Sequence, residues 1–303
     1  MAPTTQRVDL NQILAGAQLP ALPQSAIRLL ELSQDPANGP AEFSVPIEAD
    51  PGLTSQILKF VNSSYFGFTR EITSIKHAIA LVGIRTIKNF ALWTAVFSLM
   101  PNPKCGPFDL KLLWQDSLRR ALFARALGRL LGAADPDELF SAALLQDLAI
   151  PVLAKEMSAV YAKLLEYRQQ GAVRLSNLER KYFGWTHGEA GAQLARQWRM
   201  PPEFVELIGH HCETDAAAAA RREQPGRLAV ALSALLPPAG DPTWHEAALF
   251  ETLYADCKPS GGADVPDLLE QIDREFANFA PVLNLQEPGR SLVEIYQAAA
   301  AAS

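Results

Sequence analysis

At 303 residues and 49% hydrophobic composition, the chain can bury one large core or two modest ones, which excludes a disordered protein. A formal net charge of −6 argues against a surface built for the phosphate backbone, so no nucleic acid is expected as a partner. Cys105, Cys212 and Cys257 fall in no pairwise motif, which excludes a disulfide framework and a four-cysteine zinc knot and fits a reducing, cytoplasmic setting.

Residues 1–18 read as a polar lead without the apolar core of a secretory signal, closing on a short helix near Leu10 and Leu14. No window reaches the roughly 20 apolar residues that span a bilayer, so no membrane is expected. From 19 onward the apolar spacing is helical throughout. Ile27, Leu29, Leu30 and Leu32 follow Pro23 in a first helix, 35–40 is a turn, and 41–49 reads as a helix carrying Pro46. Asp50 with Pro51 opens a helix to about Asn62, Ser74 opens another, and 84–100 is apolar enough to be central. The proline cluster at 101–107 closes an N-terminal helical lobe, 19–107.

A second lobe, 108–213, begins with a long helix over 109–131. Arg119, Arg120, Arg125 and Arg129 recur along it at helical spacings, as a solvated face or as a basic stripe. Asp135-Pro136 turns into the next helix, and 141–150 reads as one continuous, almost wholly apolar helical run that carries Gln146 and Asp147 side by side. A buried amide and carboxylate must find partners inside the protein, as a structural network or as a site. A helix follows Pro151 to about 170, and two Ser/Thr-x-x-Glu matches, Ser176 with Glu179 and Thr186 with Glu189, predict two capping boxes. Pro201-Pro202 opens a helix ending in His210, His211, Cys212 and Glu213, and a C-terminal helical extension covers 214–303. No strand-like alternation, glycine-rich phosphate loop or short repeat appears, so the fold class is all-α.

Ala143-Leu144-Leu145-Gln146-Asp147-Leu148-Ala149 resembles the Gly-Leu-Leu-His-Asp-Ile-Gly core of the HD phosphohydrolase superfamily, with glutamine in place of histidine. Together with Asp50-Pro51-Gly52-Leu53, the 57–67 segment ending Asn62-Ser63-Ser64-Tyr65-Phe66-Gly67, Ile72-Thr73-Ser74-Ile75 and Ala78-Ile79-Ala80-Leu81-Val82-Gly83, it is similar to the HDOD family, the HD-related output domain of bacterial signalling proteins. The resemblance runs from about 19 to 213 and implies a multi-helix HD-like domain with an N-terminal helical lobe.

An active HD enzyme holds a divalent metal with histidines and carboxylates from four places, and HD-GYP relatives add histidines for a second ion. By that resemblance Asp116 stands where the first histidine would be, Gln146 replaces the motif histidine, Asp147 remains, and Ser233 occupies the approximate place of the last aspartate. The glutamine offers only a neutral carbonyl oxygen to a transition metal. The degenerate pocket is therefore expected to comprise Asp116, Gln146, Asp147, His187, His210, His211 and Ser233, with no metal and no cofactor; a retained ion would fall to Asp116, Asp147, His187 and His210. His187 sits where any first-turn residue serves, and His210 and His211 point about 100° apart, so one faces in and one out. His77 and His245 are expected in solvent, and Phe60, Tyr65, Phe66 and Phe68 in core and lobe packing. The leading expectation is a non-catalytic signalling module that binds a protein partner or a small ligand. The alternatives are a metal-dependent phosphohydrolase with a rebuilt site and a nucleotide sensor in which Arg119 and Arg120 contact phosphate.

Overall fold

The computed structural model describes residues 9–17, 21–33, 35, 37–168, 171–221 and 223–302; most of the 1–18 lead and part of the 35–40 turn lie outside them. Helices α1 (Leu10–Gly16), α2 (Gln24–Leu32), α3 (Pro40–Glu48), α4 (Pro51–Val61), α5 (Ile75–Val82) and α6 (Ile84–Leu99) form the N-terminal half. Asp50 fixes two of them. Its Oδ1 accepts the Leu53 N–H at 3.0 Å, capping α4, and its Oδ2 accepts the Ser25 hydroxyl at 2.9 Å, which ties α2 to α4. Gly83 ends α5 and starts α6 at φ 88°, a backbone that a side chain would strain. α3 runs through Pro46 without a break.

The non-helical 100–109 stretch, with a turn at Gly106, leads to α7 (Leu110–Leu130), the axis of the second half. Leu118, Ala121, Leu122, Phe123, Ala124 and Leu127 are fully buried on several of its faces, because α8 (Pro136–Leu145), α15 (Pro225–Ser233) and α17 (Val265–Phe279) all pack on it. The 141–150 run is not one helix. α8 stops at Gln146, and α9 (Ala149–Glu156) begins after a turn in which Leu148 N–H bonds Leu145 O at 3.0 Å and Ile150 N–H bonds Asp147 O at 2.9 Å. Pro151 is the physical reason, since its ring has no N–H for the Asp147 carbonyl and crowds a continuing helix. The predicted helix beyond it is likewise two, α9 and α10 (Ser158–Tyr167).

α11 (Leu175–Phe183), α12 (His187–Gln197), α13 (Pro202–His210) and α14 (Thr214–Ala219) follow, and α16 (Ala247–Cys257) and α18 (Leu292–Ala302) complete the chain, with a 3-10 turn at Ala280–Leu283. The helices after 213 share the same core as α7. No strand occurs among the described residues, and no single helix there is long and apolar enough to cross a membrane.

The four arginines form neither a common solvated face nor a basic stripe, and of them Arg129 alone is exposed. Arg125 is buried against Glu275 at 2.6 Å and over the Tyr65 and Phe140 rings, Arg129 lies 3.6 Å from Asp137, and Arg119 and Arg120 turn to opposite sides. Phe60, Tyr65 and Phe66 pack as expected, whereas Phe68 is exposed: Phe60 stacks on Phe90 at 4.1 Å, and Tyr65 meets Phe279 of α17 edge-on at 4.9 Å, which joins the N-terminal helices to the C-terminal ones. Phe123→Ala in α7 is expected to cost about 3–5 kcal/mol through the cavity it leaves, and Val45→Ala on the exposed side of α3 less than about 0.5 kcal/mol. Urea unfolding at constant m-value measures both.

Candidate functional site

Asp116 and Arg120 stand one turn apart on α7 and reach the same side of it. Arg120 pairs with Asp147 in the α8–α9 turn, and Asp116 Oδ1 accepts the backbone N–H of Ala239 at 2.6 Å. Arg119 leaves the other way. It is buried over Phe276 and donates to the Arg290 carbonyl at 2.5 Å, so the expected phosphate contact at Arg119 is withdrawn: one residue along a helix is a different face. Burial pushes the Asp116 carboxyl up to about 6, with Arg120 and the Ala239 N–H pulling against it. Burial would raise Asp147 too, but Arg120 and the facing imidazoles hold it well below the usual carboxylate range.

Gln146 is fully buried. Ser233 Oγ, on α15, lies 2.6 Å from Val230 O and 3.3 Å from Gln146 Oε1, one hydroxyl proton between two acceptors, and Gln146 Nε2 is buried with no hydrogen-bond partner among the described residues.

The other half of the site comes from α11, α12 and α13. Thr186 caps α12 as predicted, its N–H donating to Glu189 Oε2 at 2.8 Å. Ser176 and Glu179 do not form a capping box, because α11 already begins at Leu175 and Glu179 lies in its interior. Glu179 is instead fully buried: its Oε2 accepts His187 Nδ1–H at 2.6 Å and the His187 backbone N–H at 2.8 Å, and its Oε1 accepts the Tyr161 hydroxyl. His211 is held in the same way, its Nδ1–H donating to the Ile208 carbonyl at 2.7 Å.

Both imidazoles therefore aim Nε2 at one point. The two Nε2 atoms are 3.1 Å apart, Asp147 Oδ1 is 3.3 Å from His187 and 3.5 Å from His211, and Cys212 Sγ is 3.6 Å from His187 and 3.3 Å from His211. Glycines let the helices approach this closely. A Cβ on Gly188 would lie 3.0 Å from the Gly209 carbonyl and 3.3 Å from the His211 ring, and one on Gly191 2.9 Å from Ile208. Burial would push the Cys212 thiol up, yet the imidazoles beside it pull it well below its ordinary value; burial would lower the histidines, yet Cys212, Glu179 and Asp147 raise His187, and Cys212 and Asp147 bring His211 to about 9.

His210 is outside this group. It lies on the outer face, 3.0 Å from Glu213 and 3.2 Å from Glu206, so its place in the expected metal set passes to its neighbour, as the helical offset requires. Asp116, tied to Ala239, also leaves that set. Glu179, Tyr161 and Cys212 were not read from the sequence as site residues; the adjacency of Cys212 to two histidines was the one visible signal. His77 and His245 are exposed, as expected, with His245 at the rim of the cavity.

That cavity, of about 690 Å³, has Asp116, Arg120, Asp147, His187, His211 and Cys212 in its floor. Leu235, Pro238, Asp241 and Glu246 from the chain beyond 214 form one wall. Two arginines stand in it on carboxylate partners: Arg168 grips Asp241 with both terminal nitrogens, and Arg174 Nε is 3.3 Å from Glu246.

The HDOD domain family model matches residues 19–214, nearly two thirds of the chain. The chain belongs to the HDOD family. An uncharacterized Treponema pallidum (strain Nichols) protein is 26% identical over 211 residues, 68% of this chain and 40% of its own length. YuxH of Bacillus subtilis (strain 168) is 32% identical over 126 residues, 41% of this chain and 30% of its own length, so this chain spans less than half the length of either relative. Among solved structures, an HDOD domain protein of Geobacter sulfurreducens aligns with TM-score 0.73 at 20% identity, over 90% of this chain and 96% of its own. A Shewanella amazonensis SB2B protein whose name carries the word phosphohydrolase aligns with TM-score 0.69 at 21% identity, over 93% and 99%. Both show that the fold is shared.

The metal of HD enzymes does not fit the four founding positions of this HDOD chain. Asp116 is engaged by Ala239, Gln146 offers a carbonyl that Ser233 approaches, and Ser233 is turned to Val230, which leaves Asp147 alone. The Asp116 charge also opposes folding. Its folded pKa of about 6 exceeds the ordinary 3.8, so the opposition is full above pH 6 and fades as pH falls toward the ordinary value. Asp116→Asn keeps an acceptor for Ala239 and is expected to raise stability at pH 8 by up to about 3 kcal/mol, an advantage that shrinks through pH 6 and is gone near pH 4. Denaturation of both proteins across that range measures it.

Proposed function

We propose that this HDOD protein is a non-catalytic signalling module that takes a small polar ligand of nucleotide size into the cavity beside its degenerate motif and passes its occupancy to a protein partner. The observation that carries this reading is the cavity itself. Its roughly 690 Å³ falls within the range of small-molecule pockets, and the side chains at the founding metal positions are engaged by the protein beside it, Asp116 by Ala239, Asp147 by Arg120 and Gln146 by Ser233. Arg120, Arg168 and Arg174 each spend only part of a five-donor fork on their carboxylates, so N–H groups remain for phosphate or carboxyl oxygens.

Hydrolysis is the second reading, favoured by the convergence of His187, His211 and Cys212 in the same floor. A panel of nucleotides and cyclic dinucleotides, followed by thermal shift and by chromatography for products, separates the two. The expected result is a melting temperature that climbs with ligand concentration, equivalent to about 2.7 kcal/mol at a hundredfold excess over Kd, with no product formed. Arg174→Gln at the wall should reduce that climb, read against the variant's own unliganded melting temperature because Glu246 also loses its cation. A flat response across the panel, or product release abolished by Asp147→Asn, sinks the proposal.

A further inference from the structure

The floor of the cavity poses a problem that the ligand proposal does not address. His187 and His211 each commit the Nδ1 proton to a fixed acceptor, Glu179 and the Ile208 carbonyl, so each neutral ring presents a bare lone pair at Nε2. Those lone pairs are 3.1 Å apart, with a carboxylate oxygen of Asp147 on both of them and the Cys212 sulfur 3.3 and 3.6 Å away. Such a convergence is held either by protons on the two rings, the state their raised pKa values describe, or by a metal cation that displaces those protons.

We propose that His187 Nε2, His211 Nε2 and Cys212 Sγ are three ligands of a single zinc-class ion. A tetrahedral zinc with bonds of about 2.0–2.1 Å to nitrogen and about 2.3 Å to sulfur has ligand-to-ligand edges of about 3.3–3.7 Å; the trio's edges of 3.1, 3.3 and 3.6 Å match one face of that figure with a shift of a few tenths of an ångström. The fourth position goes to Asp147, the nearest carboxylate, or to water. Outer-shell support is already built: Glu179 fixes the tautomer and ring plane of His187 and is itself held by Tyr161, and the Ile208 carbonyl does the same for His211. Two imidazoles and a thiolate select zinc over magnesium, calcium or manganese. The site differs from the founding HD set in every ligand but Asp147, and it stands whether or not the cavity takes an organic ligand.

The test uses the full chain without an affinity tag. Elemental analysis should find one zinc per chain, a chelator should lower the melting temperature, and added zinc should restore it. Cobalt loaded in place of zinc should show the visible bands of a tetrahedral ion and a thiolate-to-metal charge-transfer band. Cys212→Ser should abolish that charge-transfer band, Glu179→Gln should weaken metal affinity by about 10–100-fold, and His210→Ala, one residue away on the outer face, should change neither. Matching circular dichroism of the chelated variants confirms that the loss is not unfolding. A metal-free chain that is indifferent to chelator and gives no thiolate band means that protons hold the cluster, which overturns the proposal. Metal retained with an unchanged spectrum in Cys212→Ser also overturns it, because the ion is then elsewhere.

Discussion

A carboxylate taken out of water in the middle of a helical core has to be matched by positive charge, and Asp147 sets that requirement for this molecule. Arg120 answers it from α7 on one oxygen, and two imidazoles from α12 and α13 face the other. Removing one partner from such a buried pair typically costs about 3–5 kcal/mol, because the charge left behind has no water to turn to. The closeness of the helices follows from this demand as much as from apolar burial. At Gly188 and Gly191 α12 presents no side chain of its own to α13, and Pro151 breaks the backbone where Asp147 has to face the cluster.

The residues that mark the ancestral motif have been rewired. Asp116 caps a backbone N–H in the 234–246 segment, and Ser233 approaches the glutamine that replaced the motif histidine. Polar groups that would surround an ion instead hold three stretches of chain against one another, in the manner of a satisfied buried network. Gln146 Nε2 and Arg120 Nε are exceptions, buried donors with no acceptor among the described residues.

Much of this was legible in the sequence, and what was not has identifiable causes. Helix starts were readable wherever a side chain caps its own backbone, as at Asp50, Asp109 and Thr186, because that chemistry is local. Ser176 and Glu179 carry the same local signature, but the glutamate is claimed by His187 and Tyr161, and no short-range rule sees a partner on another helix. The continuous 141–150 helix failed because apolar periodicity outweighed one proline. His210 and His211 were correctly divided between inside and outside, yet which one turned inward depends on the approach of α12, and spacing alone carries no information about that. Cys212 looked like a spare thiol until tertiary packing set it beside two imidazoles.

The family match ends at 214, whereas one wall of the cavity is built from 234–246. The cavity is thus completed by chain outside the family match, and that chain packs into the same core. Residues up to Cys212 supply the charged floor, and the 234–246 segment supplies the wall. Because Ala239 holds Asp116, Ser233 approaches Gln146 and α17 covers α7, a chain cut at the family boundary would lose the wall and the support of the floor together.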